Sequence, residues 1–259
     1  MFNLVVTCVG SKNYDGPSIK NAIDNLIRLG IKDDVEELFK EWKKMLTNHM
    51  KSSSFLPKAS NVYRGAMWNA SIEAFNRIND PKRLWIMSCG FGFINSEERI
   101  SGYHATFKSR ENDSLYNKSY FHRLKESEVK KQWWNLLTEI GIVETNYPKS
   151  IHELVNKSTP DDVVLIAAGS DYYEAVYDDL SKIIVSEELP KLAFVGIKRL
   201  NGKFKPAIPK KLKPYICPYG DGRKLREFLG CSAIQVQSKS ALHLIERYYK
   251  TGELKYEFP

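Results

Sequence analysis

The chain has 259 residues, 42% of them hydrophobic and 12% aromatic, with a formal net charge of +8. That is enough apolar material for one large core, and the basic balance favours an acidic partner such as nucleic acid. No run approaches the roughly 20 apolar residues of a membrane span, and the cysteines form neither a CxxC pair nor a metal-ligand cluster with histidine, which excludes a membrane protein, a disulfide scaffold and a zinc site and points to a cytoplasmic protein with reduced thiols.

The opening "MFNLVVTCVG" lacks a basic leader region and reads as a strand, not as a signal peptide. It contains the first of four short apolar runs, "NLVVTCV" (3–9), "RLWIMSC" (83–89), "DVVLIAA" (162–168) and "KLAFVG" (191–196). Near-continuous runs of this length are strands covered on both faces. Helical periods lie between them. "GPSIKNAIDNLIRLG" has Pro17 near its start and Gly30 past its end. "DDVEELFKEWKKMLTNHM" repeats Val35, Leu38, Phe39, Trp42 and Leu46 on one face. "RGAMWNASIEAFNRI", "ESEVKKQWWNLLTEIG" and "SDYYEAVYDDLSKII" share the period. Strands alternating with helices predict a three-layer α/β domain over residues 1–200, with a mostly parallel sheet of about four strands flanked by helices.

Beyond residue 200 the composition changes. "KRLNGKFKPAIPKKLKP" has prolines and many cations but no acid, and reads as a basic loop. Two helical segments follow, separated by "GCSA", the first capped by Asp221. "LREFLGCSAIQVQSKSALHLI" has the cadence of a helix–turn–helix, with Gln235, Gln237, Ser238 and Lys239 on polar positions of its second helix. The other reading is a helical hairpin packed on the sheet. Residues 201–259 thus form a basic helical appendage on or beside the core.

Each strand run ends in glycine, in "CVGSK", "SCGFG", "AAGSD" and "FVGIK". Glycine permits tight turns and close approach of a ligand, and open α/β sheets bind ligands at their carboxyl ends. The four ends are expected to converge on one cleft lined by Ser11, Lys12, Phe91, Phe93, Asp171, Tyr172, Lys198 and Arg199. The sequence lacks GxGxxG, GxxxxGK[ST], GxSxG and HExxH, so a P-loop, a Rossmann hydride site and a zinc hydrolase are all disfavoured and no cofactor is expected. Ser11 and Lys12 suit a phosphate or a sugar hydroxyl, or are an exposed turn. Arg64, after Tyr63 at a helix start, opposes the helix dipole but makes sense as an anion fork. "CGFGFINSEERISGYHATF" is a long loop with Glu97, Glu98, Tyr103 and His104, able to supply stacking rings and an acid or base, or else a solvated face pairing with Arg99. In "AAGSDYY", Ser170 is the better-placed helix cap, which frees Asp171 for chemistry with Tyr172 and Tyr173 as stacking walls.

Taken together, "LVVTCVGSK", "NVYRGAMWNAS", "LWIMSCGFGFINSEERISGYHATF", "VVLIAAGSDYYEAV" and "KLREFLGCSAIQVQSKSALHLI" resemble the YaaA-like group of bacterial and phage proteins. That group is linked to DNA binding, 7-deazaguanine modification and phage defence, and some relatives look like glycosylases that remove hypermodified bases such as glucosylated hydroxymethylcytosine. By position, the resemblance points to Cys8, Ser11, Lys12, Tyr63, Arg64, Gly90, Gly92, Tyr103, Gly169 and Tyr172. The sequence departs from the group's pattern where Val9 and Gly10 interrupt its Cys-Ser-Lys turn, where Phe91 and Phe93 replace tyrosine and leucine, and at Asn69. The resemblance implies a DNA glycosylase acting on a flipped, modified base of phage DNA. Asp171 is the expected catalytic carboxylate and Glu97 the alternative. Lys12, Arg64, Lys198 and Arg199 would hold phosphates, and Tyr63, Phe91, Tyr103 and Tyr172 would wall the pocket. A noncatalytic DNA-binding protein and an N-glycosidase on free nucleotides are the competing expectations.

Overall fold

The computed structural model describes residues 1–109 and 111–259. Strands β1 (Phe2–Thr7), β2 (Lys82–Ser88), β3 (Gly92–Asn95), β4 (Val163–Ala167) and β5 (Lys191–Val195) form one sheet in the order β3-β2-β1-β4-β5. β1, β2, β4 and β5 run parallel, with Val5 in register with both Trp85 and Ile166. These four are the apolar runs of the sequence. The fifth strand, "GFIN", pairs antiparallel with β2 across the turn at residues 89–91. In the sequence it is indistinguishable from loop, because its residues, too few for a visible period, are buried on both faces.

Between β1 and β2 lie α1 (Ile19–Arg28), α2 (Val35–Ser52), α3 (Ala59–Val62) and α4 (Ala66–Asn76). Ser18 and Asp34 start the first two by accepting the amides of Lys20 and Glu37, which satisfies otherwise orphaned donors. The long excursion from β3 to β4 contains α5 (Glu126–Glu139) and α6 (Ile151–Lys157). α6 is one short helix capped by Ser150, below the length at which an apolar period stands out. The helix expected after β4 is broken at Val176 into α7 (Ser170–Ala175) and α8 (Tyr177–Ser181). Past β5 come a two-stranded hairpin, β6 (Lys198–Leu200) with β7 (Lys203–Lys205), and then α9 (Gly222–Leu229) and α10 (Val236–Thr251). Asp221 caps α9 as expected, and Gly230 ends it in the left-handed conformation.

Helices cover the sheet in a three-layer α/β arrangement. α4 and α10 pack on each other, and α10 also lies along β4 and β5; α5 packs against α2, α7, α8 and β3. The helix–turn–helix expectation for the C-terminal pair gives way to the packed hairpin. Ser238 is buried, with its hydroxyl on those of Ser71 and on the Met67 carbonyl, and Lys239 pairs with Glu73 of α4. The polar face read as a groove reader therefore serves a helix–helix contact. The buried apolar cluster runs without a break from Phe2 to Phe258. Among the described residues no helix is long and apolar enough to cross a membrane.

Candidate functional site

From β1 the chain moves outward to β2, and much later it adds β4 on the other side of β1. The strand order reverses between β1 and β4, which is where an open α/β sheet leaves a crevice at its carboxyl edge. A cleft of about 780 Å³ lies there. One wall is the turn after β1, from Cys8 to Lys12; another is the start of α7, from Gly169 to Tyr172. Arg64 to Met67 at the head of α4, residues 104–108 and 111–113, and Ala233, Ile234 and Gln237 before and within α10 complete it. Two strand ends thus form the cleft rather than four. The end of β2 is buried beneath it. The end of β5 comes close at Gly196, whose φ of +87° and 2.1 Å approach of a would-be Cβ to the Ala168 carbonyl leave room for no other residue.

Under the β1 wall lies a buried polar chain. Tyr172 Oη is 2.9 Å from Cys8 Sγ, and Tyr103 Oη donates to the same sulfur at 3.4 Å. Tyr103 Oη is also 2.7 Å from Ser88 Oγ and 3.2 Å from Tyr63 Oη. Gly90 is required here, because a Cβ would sit 2.5 Å from the Tyr103 ring. Burial holds the phenols of Tyr63, Tyr103 and Tyr172 above their usual range, reinforced by the Cys8 sulfur, and burial likewise raises the Cys89 thiol. Lys12 rests on this assembly. Its Nζ donates to the Gly10 carbonyl at 3.3 Å and stands 4.2 Å over the Tyr103 ring. Burial lowers its affinity for a proton, against smaller opposing fields from Cys8, Cys89 and Asp113.

Asp171 reaches the cleft from the first turn of α7, where Gly169 takes the cap position and neither Ser170 nor Asp171 caps. The expected capping by Ser170 is therefore corrected, and another contact fixes the acid. Lys130, buried on α5, places its Nζ 2.5 Å from Glu126, 2.8 Å from Asp171 and 3.2 Å from Glu174. Among the described residues, these three acids are the only His, Cys, Asp or Glu set spaced to hold a metal, and the lysine ammonium occupies their centre. The three carboxylates in turn raise the lysine's pKa against the penalty of its burial. Lys130 was legible: it follows Val129 and precedes Trp133, Trp134 and Leu137 on the buried face of the helix, where a lysine must have a partner.

Of the expected residues, the structure brings Ser11, Lys12, Arg64, Asp171 and Tyr172 together. Tyr63, Phe91 and Tyr103 are 2%, 3% and 0% exposed; they are the floor under the cleft, with Phe91 and Tyr63 edge-on to Tyr103, and cannot stack on a ligand as expected. Phe93 stacks on Trp85 within the core. Glu97 is not in the cleft. β3 carries the chain back along β2, so Glu97 lies beyond Asn95, exposed and paired with Lys58 at 2.5 Å. Glu98 is also held there, on the Asn95 amide, and burial raises its carboxyl pKa. Lys198 and Arg199 belong to the β6–β7 hairpin, where Arg199 pairs with Glu257. Of the expected rings, half-buried Tyr172 borders the cleft, and Phe107, itself only 1% exposed, packs edge-on behind it with centroids 5.1 Å apart.

Sequence reading missed Phe107 and Asp113. The returning loop brings both to the cleft, where Asp113 accepts the Ser18 hydroxyl near His104. Their only sequence signal is the polar run "SRENDS" so soon after an aromatic. Arg64 is exposed and, among the described residues, has no ion-pair partner; it stands beside the uncapped first turn of α4, whose free amides favour an anion. The cleft thus combines unpaired cations, an anchored carboxylate and the half-buried Tyr172 ring, which suits a nucleoside phosphate better than an apolar ligand. No family model matches the chain, and no curated protein matches it.

Proposed function

We propose that the cleft hydrolyses the N-glycosidic bond of a modified base flipped out of DNA, as an antiviral defence enzyme similar to the YaaA-like relatives that look like glycosylases. The observation that carries this reading is Asp171, fixed by Lys130 and facing the same cleft as Arg64 and Tyr172. As the base departs, positive charge builds on the sugar, and a carboxylate held beneath it stabilises that charge. Arg64 and the first-turn amides of α4 bind the flanking phosphate. The Tyr172 ring, backed by Phe107, lies against the extruded base. Because Asp171 already has its partner, no reorganisation is needed at the moment of reaction.

A wider basic surface supports DNA over a free nucleotide. The β6–β7 hairpin leaves the carboxyl end of β5, at the same end of the sheet as the cleft, and Lys198, Lys203 and Lys205 have no ion-pair partner among the described residues. An N-glycosidase for free nucleotides would use the cleft alone.

Mass spectrometry of bases freed from unmodified and phage-modified DNA tests the reading. Release from modified DNA is expected, falling about 10²–10³-fold in Asp171→Asn while DNA affinity stays near that of the parent. Lys130 keeps Glu126 and Glu174 in that variant, so the fold persists. Full base release by Asp171→Asn removes this residue from the mechanism. Binding without release leaves a noncatalytic DNA-binding protein, and release from mononucleotides alone leaves the nucleotide N-glycosidase.

A further inference from the structure

Lys12 differs from the other cations of the cleft. Arg64 and Lys108 are exposed, whereas Lys12 is 8% exposed and, among the described residues, has no carboxylate partner. Among the described residues its one hydrogen-bond acceptor is the Gly10 carbonyl, and the Tyr103 ring lies under it. The ring face favours a cation, but one acceptor for three protons in a buried setting leaves the ammonium under-satisfied, which favours the amine.

We propose that Lys12 is an amine nucleophile toward C1′ of an abasic deoxyribose, giving the cleft a strand-cleaving lyase activity in addition to base removal. The proposal rests on the reading that the cleft takes a DNA deoxyriboside. In the ring-opened sugar, C1′ is an aldehyde. The neutral Nζ adds to it and the carbinolamine loses water, leaving a protonated imine between Lys12 and C1′. That imine acidifies C2′–H, and the Asp113 carboxylate, whose field reaches Lys12, accepts the proton. The electron pair passes through the enamine to form the C2′–C3′ double bond, and the C3′–O bond breaks with its pair going to the departing phosphate. Water then hydrolyses the imine, restores the amine and frees an unsaturated aldehyde on the upstream strand. No oxidant or metal is consumed. Burial lowers the Lys12 pKa and so favours the neutral amine.

The experiment uses the full chain and a duplex oligonucleotide carrying a preformed abasic site, with borohydride to reduce the imine to a stable amine. The expected result is a protein–DNA adduct that peptide mapping places on Lys12, together with strand nicking when borohydride is omitted. Lys12→Arg and Lys12→Met are expected to lose the adduct and slow nicking at least 100-fold, with circular dichroism confirming that they fold. An adduct on another lysine, or none from the parent protein, overturns the proposal. Because the abasic substrate bypasses base removal, the two readings fail separately. Base release from modified DNA without an adduct leaves a simple glycosylase. A Lys12 adduct without base release leaves a lyase and removes the glycosylase.

Discussion

At the residue scale the cleft depends on two lysines placed in opposite settings. Lys130 is surrounded by three carboxylates and is there to be charged; Lys12 is buried with none. Both were visible as letters, but neither setting was, because both depend on which segments the sheet brings together. The same holds for the aromatics. Tyr63 and Phe91 lie near the ends of elements and Tyr103 in the loop beyond β3, yet an aromatic in such a place can be floor or wall, and sequence does not distinguish the two. Lys12 also makes a pH prediction. Its folded-state pKa lies below the ordinary 10.5, so over that interval the unfolded chain holds more protons, and stability rises with pH. The tyrosines oppose this only above about pH 10, where unfolded phenols ionise while the buried ones stay protonated. Urea midpoints measured below that point are expected to rise with pH more steeply in the parent protein than in Lys12→Met. Parallel curves would mean that Lys12 is no less basic when folded.

At the element scale, the four parallel strands were legible because a strand covered on both faces must be apolar throughout, and the long helices because their buried faces repeat. What escaped was short or compound: β3, α6, and the break between α7 and α8. The break is tied to one buried acid. Asp179 of α8 accepts Trp134 Nε1 at 3.0 Å and the amides of Ile151 and His152, also at 3.0 Å. It thereby joins α5, the head of α6 and α8 in a single cap. Asp179→Ala strands an indole N–H and two amides away from water, a loss of about 3 kcal/mol. Chemical denaturation measures this, and a loss below about 1 kcal/mol would mean that water enters and replaces the acid. The second C-terminal helix shows the opposite ambiguity. Its polar side was equally readable as a surface for a groove or for another helix, and Ser71 and Glu73 of α4 determine the outcome.

For the whole molecule, a net charge of +8 is an average over an uneven surface. Many carboxylates are engaged in ion pairs, while Lys203 and Lys205 of the β6–β7 hairpin and Arg223 and Lys224 on α9 are exposed without such partners among the described residues. If that surface follows a phosphate backbone, each contact removed lowers the log–log salt slope of DNA binding by roughly one unit. Replacing Lys203 and Lys205 together with glutamine is expected to lower it by about two, with base preference unaltered. An unchanged slope would move the DNA to another face.

The position of α10 bears on how the molecule is made. β1 is the middle strand of the sheet, yet the helix that lies along β4 and β5 and meets Phe2 through Tyr248 follows it across nearly the whole chain. A ribosome therefore extrudes the sheet long before its cover, and a greasy flank stays open to water and to sticky neighbours throughout elongation. Chaperone demand in the cell, rather than equilibrium stability, is where a weakened α10 would first be felt.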